Sequence, residues 1–211
     1  MPGGGMSQNI EKLDGESMPQ MGEKPDGENM PQDTTTDESG TSTKGIKAGG
    51  GMYLNGGTYQ IDSADDSIHS NANITIADGT YTLATGDDGV HADDALIVNG
   101  GTITVTESYE GLEGLTVTIN DGTIDITASD DGINTAGEKM ELNGGYIHIL
   151  AGGDGVDSNG DLTINGGEIY IDGPSDNGNS AIDYGDRSSA YVNGGTLVAI
   201  GSSGMAEVMS D

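Results

Sequence analysis

Acidic side chains recur at a fixed place in an internal repeat of this sequence, and acids that stack in register can hold a divalent cation. The first set stands nine residues after a recurring glycine. Its members are Asp66, Asp88, Glu110, Asp131, Asp154 and Asp176, and Asp65, Asp87 and Asp130 precede three of them. The position three residues further on is also polar, with His69, His91, Glu113, Asn134 and Asp157, and Asp183 follows Ile182 as Asp157 follows Val156.

Carboxylates stacked one repeat apart repel each other unless a cation lies between them. At about 5 Å the repulsion is roughly 3 kcal/mol per pair at an effective dielectric of about 20, and about 1 kcal/mol in water. Ca²⁺ accepts about six to eight oxygen ligands, so acids from neighbouring repeats could share one ion, whereas Mg²⁺ demands a stricter geometry. We therefore predict Ca²⁺ as the cofactor. A solvated acidic edge and protonated or hydrogen-bonded clusters are the alternatives left open.

The predicted metal ligands come from both acid columns. They are Asp65, Asp66, Asp87, Asp88, Glu110, Glu113, Asp130, Asp131, Asp154, Asp157 and Asp183. His69 and His91 could ligate a transition metal, but we expect them to be surface hydrogen-bonding residues beside the acids. Lys44 and Lys47 occupy the same two columns in a partial first repeat. They either end the acid column with opposite charge or form a carboxylate-binding edge.

The elements that position these columns follow from the repeat itself. Its turn glycines are Gly57, Gly79, Gly101, Gly122, Gly145, Gly167 and Gly195, which are 21 to 23 residues apart except for one interval of 28. Alternating apolar pairs flank each glycine, and a third apolar position falls eleven residues after it, at Ile68, Val90, Leu112, Ile133 and Val156. Three strands per repeat, each with one inward face, must stack to be buried.

We therefore predict an all-β fold, a right-handed single-stranded parallel β-helix (solenoid) of about seven coils of about 22 residues. The solenoid spans residues 44–211 and follows a disordered Gly/Pro/Met-rich acidic linker over residues 1–43. No polar cap follows Val208, so we expect truncation at the C-terminal end. The asparagines that precede the turn glycines by two positions predict a stacked amide column. The long interval predicts a protruding loop around "GPSDNGNS".

The composition narrows the possible partners. The chain has 36 acidic and 6 basic residues, a formal net charge of −30. Phosphate binding needs a basic surface, so nucleic acid and anionic membranes are excluded as partners. No apolar run is long enough for membrane insertion, and cysteine is absent. The first residues do not form a signal peptide, so we expect either a cytoplasmic protein or a piece of a longer chain.

Several segments in order resemble a known family. They are "TKGIKA", "DDSIHSNANITI", "TGDDGVHADDALIVNGGTI", "ESYEGLEG", "ASDDGIN", "GDGVDSNGDLTINGG" and "SSGMA". Over residues 44–207 the chain resembles bacterial extracellular carbohydrate-binding domains of the pectate-lyase-like superfamily. The resemblance implies calcium at the Asp-Asp-Gly corners, here Asp65, Asp66, Asp87, Asp88, Asp130, Asp131 and the single Asp154. It also implies binding of acidic sugars such as polygalacturonate, and a location outside the cell or at its surface.

The leading functional hypothesis is non-catalytic, calcium-dependent binding of an acidic polysaccharide. Besides Lys44, Lys47, His69 and His91, we expect Tyr109 to contact the sugar, and Tyr146 and Tyr170 are exposed rings of the same kind. A calcium-stiffened structural surface protein or adhesin is the alternative. A lyase or hydrolase is less favoured, because a lyase needs a base near calcium and Arg187 is the only arginine. Evenly repeated acids are also unlike the local pair that a hydrolase needs.

Overall fold

The computed structural model describes residues 42–204. The predicted linker, residues 1–43, lies outside this part except for its last two residues, and the predicted truncation concerns residues that lie outside it as well. Within residues 42–204 every regular element is a β-strand and none is a helix, as the repeat predicts. In the same stretch no helix is long and apolar enough to cross a membrane.

Sixteen strands make up the described part of the chain. In chain order they are β1 (Ile46–Ala48), β2 (Met52–Ser63), β3 (Ile68–Ser70), β4 (Ile74–Thr85), β5 (Val90–Val98), β6 (Thr102–Glu107), β7 (Leu112–Ile119), β8 (Thr123–Ala128), β9 (Ile133–Leu142), β10 (Tyr146–Ala151), β11 (Val156–Ser158), β12 (Asp161–Ile164), β13 (Glu168–Asp172), β14 (Ile182–Tyr184), β15 (Ala190–Val192) and β16 (Thr196–Ile200). Every paired neighbour runs parallel. The predicted parallel solenoid is therefore confirmed.

The strands stack in three columns, because each coil contributes one segment to each. The first column contains β1, β3, the beginnings of β5, β7 and β9, then β11 and β14. The second contains the beginnings of β2 and β4, the ends of β5, β7 and β9, then β12 and β15. The third contains the ends of β2 and β4, then β6, β8, β10, β13 and β16. The solenoid makes about six turns, slightly fewer than the seven coils predicted.

The inward side chains of all three columns form one apolar core. The predicted third apolar position is buried at every coil, with Ile68, Val90, Leu112, Ile133 and Val156 at most 1% exposed. Burial of such side chains stabilises the fold by about 1.5–3 kcal/mol each. Two tyrosines of neighbouring coils also stack, because the rings of Tyr59 and Tyr81 lie 4.9 Å apart and nearly parallel.

The turn glycines have the backbone geometry that the repeat predicts. All seven have positive φ, between 88° and 128°, a region that side-chain-bearing residues rarely adopt. The asparagines that precede them form the predicted amide column. Asn120, Asn143, Asn165 and Asn193 each donate from Nδ2 to the Oδ1 of the asparagine one coil earlier, at 2.7–2.8 Å.

The 28-residue interval moves Asp176 out of the predicted acid column. The extra residues form a loop between β13 and β14, and Asp176 lies in that loop. Ser180 takes the place expected for Asp176, because Gly155 N donates to Ser180 O as Gly132 N donates to Asp154 O. This loop contains the segment "GPSDNGNS", where the long interval predicts a protruding loop.

Candidate metal centre

The acids come together because the first strand column has a strict register. In each strand of this column, a polar residue directly follows the inward apolar residue. These residues pair in the order Lys47, His69, His91, Glu113, Asn134, Asp157 and Asp183. The other predicted column, three residues earlier, is aligned by backbone hydrogen bonds in which Asp66, Asp88, Glu110, Asp131 and Asp154 each accept at the carbonyl. Both predicted columns therefore lie along one edge of the solenoid.

This edge is buried to an extent that the sequence did not predict. We expected outward side chains, but Asp66, Asp88, Glu110 and Asp154 are all less than 9% exposed, and Asn134 is fully buried. The rungs above and below cover each carboxylate, because the coils stack directly on one another. A solvated acidic edge therefore does not describe these residues, and each acid must be neutralised by a neighbouring cation, by a bound ion or by protonation.

In three acids of this edge, one carboxylate oxygen accepts a hydrogen bond from a backbone N–H group. Asp66 Oδ1 accepts from Asp88 N at 3.4 Å, Asp131 Oδ1 from Asp154 N at 2.7 Å, and Asp154 Oδ1 from Ser180 N at 2.5 Å. The donor always belongs to the next coil along the chain. Each of these carboxylates thus links two coils and leaves its second oxygen for another partner.

Basic side chains balance the acids of the earliest coils. Lys44 Nζ lies 3.0 Å from Asp65 Oδ1 and 2.5 Å from Asp66 Oδ2, and the lysine side chain is only 6% exposed. His69 Nδ1 lies 2.8 Å from the same Asp66 oxygen. Burial would raise the pKa of Asp66, but hydrogen bonds from His69 and Lys44 lower it to about 2. This geometry favours the charge-compensating role of Lys44 over the sugar-binding one.

A second compensated cluster surrounds His91. Its Nδ1 lies 2.9 Å from both Asp88 Oδ2 and Glu113 Oε2, and its Nε2 lies 3.5 Å from Asp93 Oδ1. Burial would lower the pKa of His91, but the hydrogen bonds to Asp88 and Glu113 raise it to about 11. Glu113 is its main charge partner, because burial would raise the pKa of Glu113 but the hydrogen bond from His91 lowers it, whereas burial raises the pKa of Asp88 to about 8. This agrees with the expected hydrogen-bonding role of the histidines, which lie inside the edge rather than on its surface.

The acids of the later coils have no such compensation. Burial is the main cause that raises the pKa of Glu110 to about 9, of Asp131 to about 8, of Asp157 to about 7 and of Asp154 to about 6. Neighbouring carboxylates, including Asp183, add to the rise at Asp154 and Asp157. Within residues 42–204, no basic side chain forms an ion pair with Asp131, Asp154 or Asp157.

One buried amide oxygen at the later coils has no partner. Asn134 Nδ2 donates to Glu110 Oε2 at 2.9 Å, whereas Asn134 Oδ1 makes no hydrogen bond. Asn134 stands three residues after Asp131 and pairs in register with Asp157. A buried oxygen without a donor beside uncompensated acids is the environment that a hard cation requires.

Four groups of side chains bring at least three ligand atoms within 4.8 Å of one another. They are Asp66–His69–His91, Asp88–His91–Glu113, Asp65–Asp66–Asp87 and Asp131–Asp154–Asp157. The first three contain residues that Lys44 or His91 already neutralises. The fourth is an all-oxygen group next to the unpartnered Asn134 oxygen, and carboxylate and amide oxygens are the ligands that Ca²⁺ prefers. The residues present therefore fit calcium best at the fourth group.

Three further features border this edge. Tyr109 is half exposed, and its hydroxyl donates to Asp130, which raises the pKa of Tyr109 to about 12. At the later end, a groove of about 280 Å³ is lined by Asp157, Asn159, Asp183, Tyr184, Gly185 and Asp186. Lys47 is exposed and pairs in register with His69. Tyr109 and Lys47 thus lie where a ligand can reach them, and their binding roles stay predictions.

Sequence reasoning did not find three of the residues around these clusters. Asp93 approaches both histidines, and Asn159 and Asp186 line the groove. Asp93 belongs to a second Asp-Asp pair directly after His91-Ala92, which is a signal that the sequence does contain. Asn159 occupies the same repeat position as Asn71 and Asp93, fourteen residues after the turn glycine, whereas Asp186 falls outside the repeated positions.

Fold and site together define a parallel β-solenoid whose flank carries buried acids and an open polar groove, a design suited to binding extended ligands. A model of the family described as carbohydrate-binding domain-containing protein matches residues 4–89 and 87–210. The chain therefore belongs to this carbohydrate-binding family, and its partner is a carbohydrate. Searches among curated proteins and among solved structures each gave no match.

Proposed function

We propose that this protein binds an acidic polysaccharide without cleaving it, through Ca²⁺ held beside Asp131, Asp154 and Asp157. The observation that carries the proposal is the buried Asn134 Oδ1, which has no hydrogen-bond donor and belongs to the residue that pairs in register with Asp157 of the acid cluster. Family membership supplies the carbohydrate, and the acid cluster supplies the reason for a cation. Acidic sugars of the polygalacturonate type suit such a site, because their carboxylates also bind the cation.

The charge of the protein explains why a cation must take part. A uronate chain is anionic and the protein has a formal net charge of −30, so the two repel each other in the absence of a counter-ion. Bound Ca²⁺ would supply positive charge that carboxylates of both partners can share. Asp157 belongs both to the acid cluster and to the adjacent groove, so the cluster and the groove adjoin. Arg187 is exposed and directly follows the groove residue Asp186, and we propose that it pairs with a sugar carboxylate.

The later coils are the preferred place for the ion because the earlier acids are already balanced. Asp65 and Asp66 are neutralised by Lys44, and Asp88 and Glu113 share the cation of His91. Adding a divalent ion there would displace hydrogen bonds that the protein already makes. We therefore keep Asp65, Asp66, Asp87, Asp88 and Glu113 as secondary candidates for metal binding.

The hydrogen bonds that the acids accept from neighbouring coils support binding rather than cleavage. Asp66, Asp131 and Asp154 each hold the backbone of the next coil, so the repeated carboxylates act as linkers between coils. A hydrolase needs two carboxyl groups that differ in role and face a sugar ring between them. We also propose that the protein acts outside the cell or at its surface, where acidic polysaccharides occur.

The test combines calcium titration with glycan binding. Calorimetry of the calcium-free protein should show saturable Ca²⁺ binding, and immobilised polygalacturonate should retain the protein with calcium but not with EDTA. Asp157→Asn, which keeps the side-chain shape, should weaken both by tenfold or more. Asp94→Asn is the matched control, because Asp94 is exposed and lies outside the acid cluster.

Three results would contradict the proposal in different ways. Absence of Ca²⁺ binding at millimolar concentration would remove the metal site. Calcium-dependent stabilisation without retention on any acidic glycan would favour the structural surface protein instead. New ultraviolet absorbance from an unsaturated product of polygalacturonate would show that the protein is a lyase.

A further inference from the structure

A second groove lies on a different part of the solenoid from the acid edge. It is a shallow trough of about 640 Å³ beside the beginning of the third strand column. Its lining residues are Asp121, Gly122, Thr123, Gly145, Tyr146, Gly167, Glu168 and Thr196. None of them belongs to the acid columns, so the trough is separate from the proposed calcium site.

The trough exists because its floor is made of turn glycines. Gly122, Gly145 and Gly167 all have positive φ. A Cβ on Gly167 would lie 2.8 Å from Gly145 O, and one on Gly145 would lie 2.7 Å from Gly122 O. Close stacking of the turns thus excludes side chains from the floor over three successive coils. A continuous channel without side chains, parallel to the solenoid axis, is the result.

The wall of the trough presents an aromatic ring among polar groups. Tyr146 is 43% exposed, and its ring centre lies 5.6 Å from that of Tyr170 at 41°. In the strand register, Tyr146 stands between Thr123 of the coil before and Glu168 of the coil after. Asp121 at the rim has one carboxylate oxygen bonded to Gly122 N at 2.8 Å. An apolar ring flanked by hydroxyls and carboxylates matches the two kinds of surface that a pyranose presents.

We propose that this trough is a second glycan site, which binds an uncharged pyranose chain and does not use calcium. Tyr146 stacks on a sugar face, braced by Tyr170, and Glu168, Asp121 and the hydroxyls of Thr123 and Thr196 bond to sugar hydroxyls. The charge of the lining selects a neutral chain, because Asp121 and Glu168 repel uronates and no basic residue lines the trough. Its length over several coils suits a polymer rather than a single sugar.

The test uses neutral polysaccharides with calcium removed. In EDTA, affinity electrophoresis through soluble galactomannan, xyloglucan or mixed-linkage glucan should retard the protein with at least one of them. Tyr146→Ala should weaken that binding by about fivefold or more, the loss expected for one aromatic contact. Tyr53→Ala is the matched control, because Tyr53 is 65% exposed on β2 and lies outside the trough.

Two further variants keep the result interpretable. Thr123→Arg, at an exposed position, should obstruct the trough and abolish retardation even if Tyr146→Ala folds poorly. Asp157→Asn should leave neutral-glycan binding unchanged, which separates this site from the calcium-dependent one. Absence of retardation by all three polymers, or equal behaviour of the Tyr146→Ala and Tyr53→Ala proteins, would overturn the proposal. Either result leaves the calcium proposal standing.

Discussion

Asn134 Nδ2 donates a hydrogen bond to Glu110 Oε2 at 2.9 Å, across one turn of the solenoid. The same amide has its oxygen buried without a donor, beside the acid cluster that we propose for calcium. In the column from Lys47 to Asp183, the side chain therefore stands between Glu113, which pairs with His91, and Asp157, for which the described residues contain no ion-pair partner. The predictions below follow from this difference.

Replacing Asn134 with Asp should destabilise the calcium-free protein and strengthen calcium binding. The added carboxylate would face Glu110 and Asp131, so the melting temperature in EDTA should fall. Calcium affinity should rise by about tenfold, because ligand charge sets affinity at such sites. Calorimetry and thermal unfolding, with and without calcium, measure both effects. Asn120→Asp adds the same charge to the exposed amide column and should change neither property in this way.

The stability of the calcium-free protein should fall as the pH rises from about 4 to 9. Burial and neighbouring carboxylates raise the pKa of Asp154, Asp157 and Asp131 to about 6, 7 and 8. An acid whose pKa is higher in the folded than in the unfolded protein contributes stability below its unfolded pKa. This stability is lost as the pH rises through the folded pKa. The free energy of unfolding, from urea titrations at pH 5 and pH 9, should decrease by about 2 kcal/mol or more. Saturating calcium should remove the part of the decrease that comes from Asp131, Asp154 and Asp157, whereas the part that comes from Glu110 and His91 should remain. A decrease that calcium leaves unchanged would contradict the site.

Lys44→Met should destabilise the protein by about 3 kcal/mol, because it leaves Asp66 buried and without its cation. The methionine keeps most of the apolar volume, so the loss reports on the charge. Lys139→Met is the control, since its ion pair with Glu141 is largely exposed and should be worth less than about 1 kcal/mol. Equal losses in the two variants, measured by chemical denaturation, would show that Lys44 does not balance the edge.

Much of this fold could be predicted from the glycine spacing, because only a stacked coil returns equivalent residues to the same place every 22 positions or so. The positive φ of the turn glycines, the asparagine column and the order from Lys47 to Asp183 all follow from that one period. The burial of Asp66 and Asp154 could not be predicted. A period gives the register of a side chain but does not say how closely neighbouring coils cover it.

The sequence pattern also does not predict which basic side chains neutralise the acids of the edge. The sequence leaves open whether Lys44 ends the acid column or binds a ligand carboxylate, because its contacts with both Asp65 and Asp66 depend on side-chain conformation. The displacement of Asp176 depends on how the insertion between β13 and β14 folds back. Both are local packing events, and a repeat carries no information about positions where it is broken.

His91→Asn should create a further cation site in the earlier coils. The imidazolium balances Asp88 and Glu113, and an amide at the same rung would reproduce the arrangement found at Asn134. The calcium-free variant should lose about 3 kcal/mol of stability, the effect of breaking a buried ion pair. In calorimetric titration the number of bound Ca²⁺ ions should increase by one relative to the unsubstituted protein.

The matched control for this variant is His148→Asn, because His148 Nδ1 lies 2.9 Å from Asp125 Oδ1 and both side chains are about half exposed. That change should alter stability by less than about 1 kcal/mol and leave the stoichiometry as it was. If His91→Asn also left the stoichiometry unchanged, the protein cation would not be what keeps calcium away from the earlier coils. The distinction between compensated and uncompensated acids would then fail as the explanation for where the ion binds.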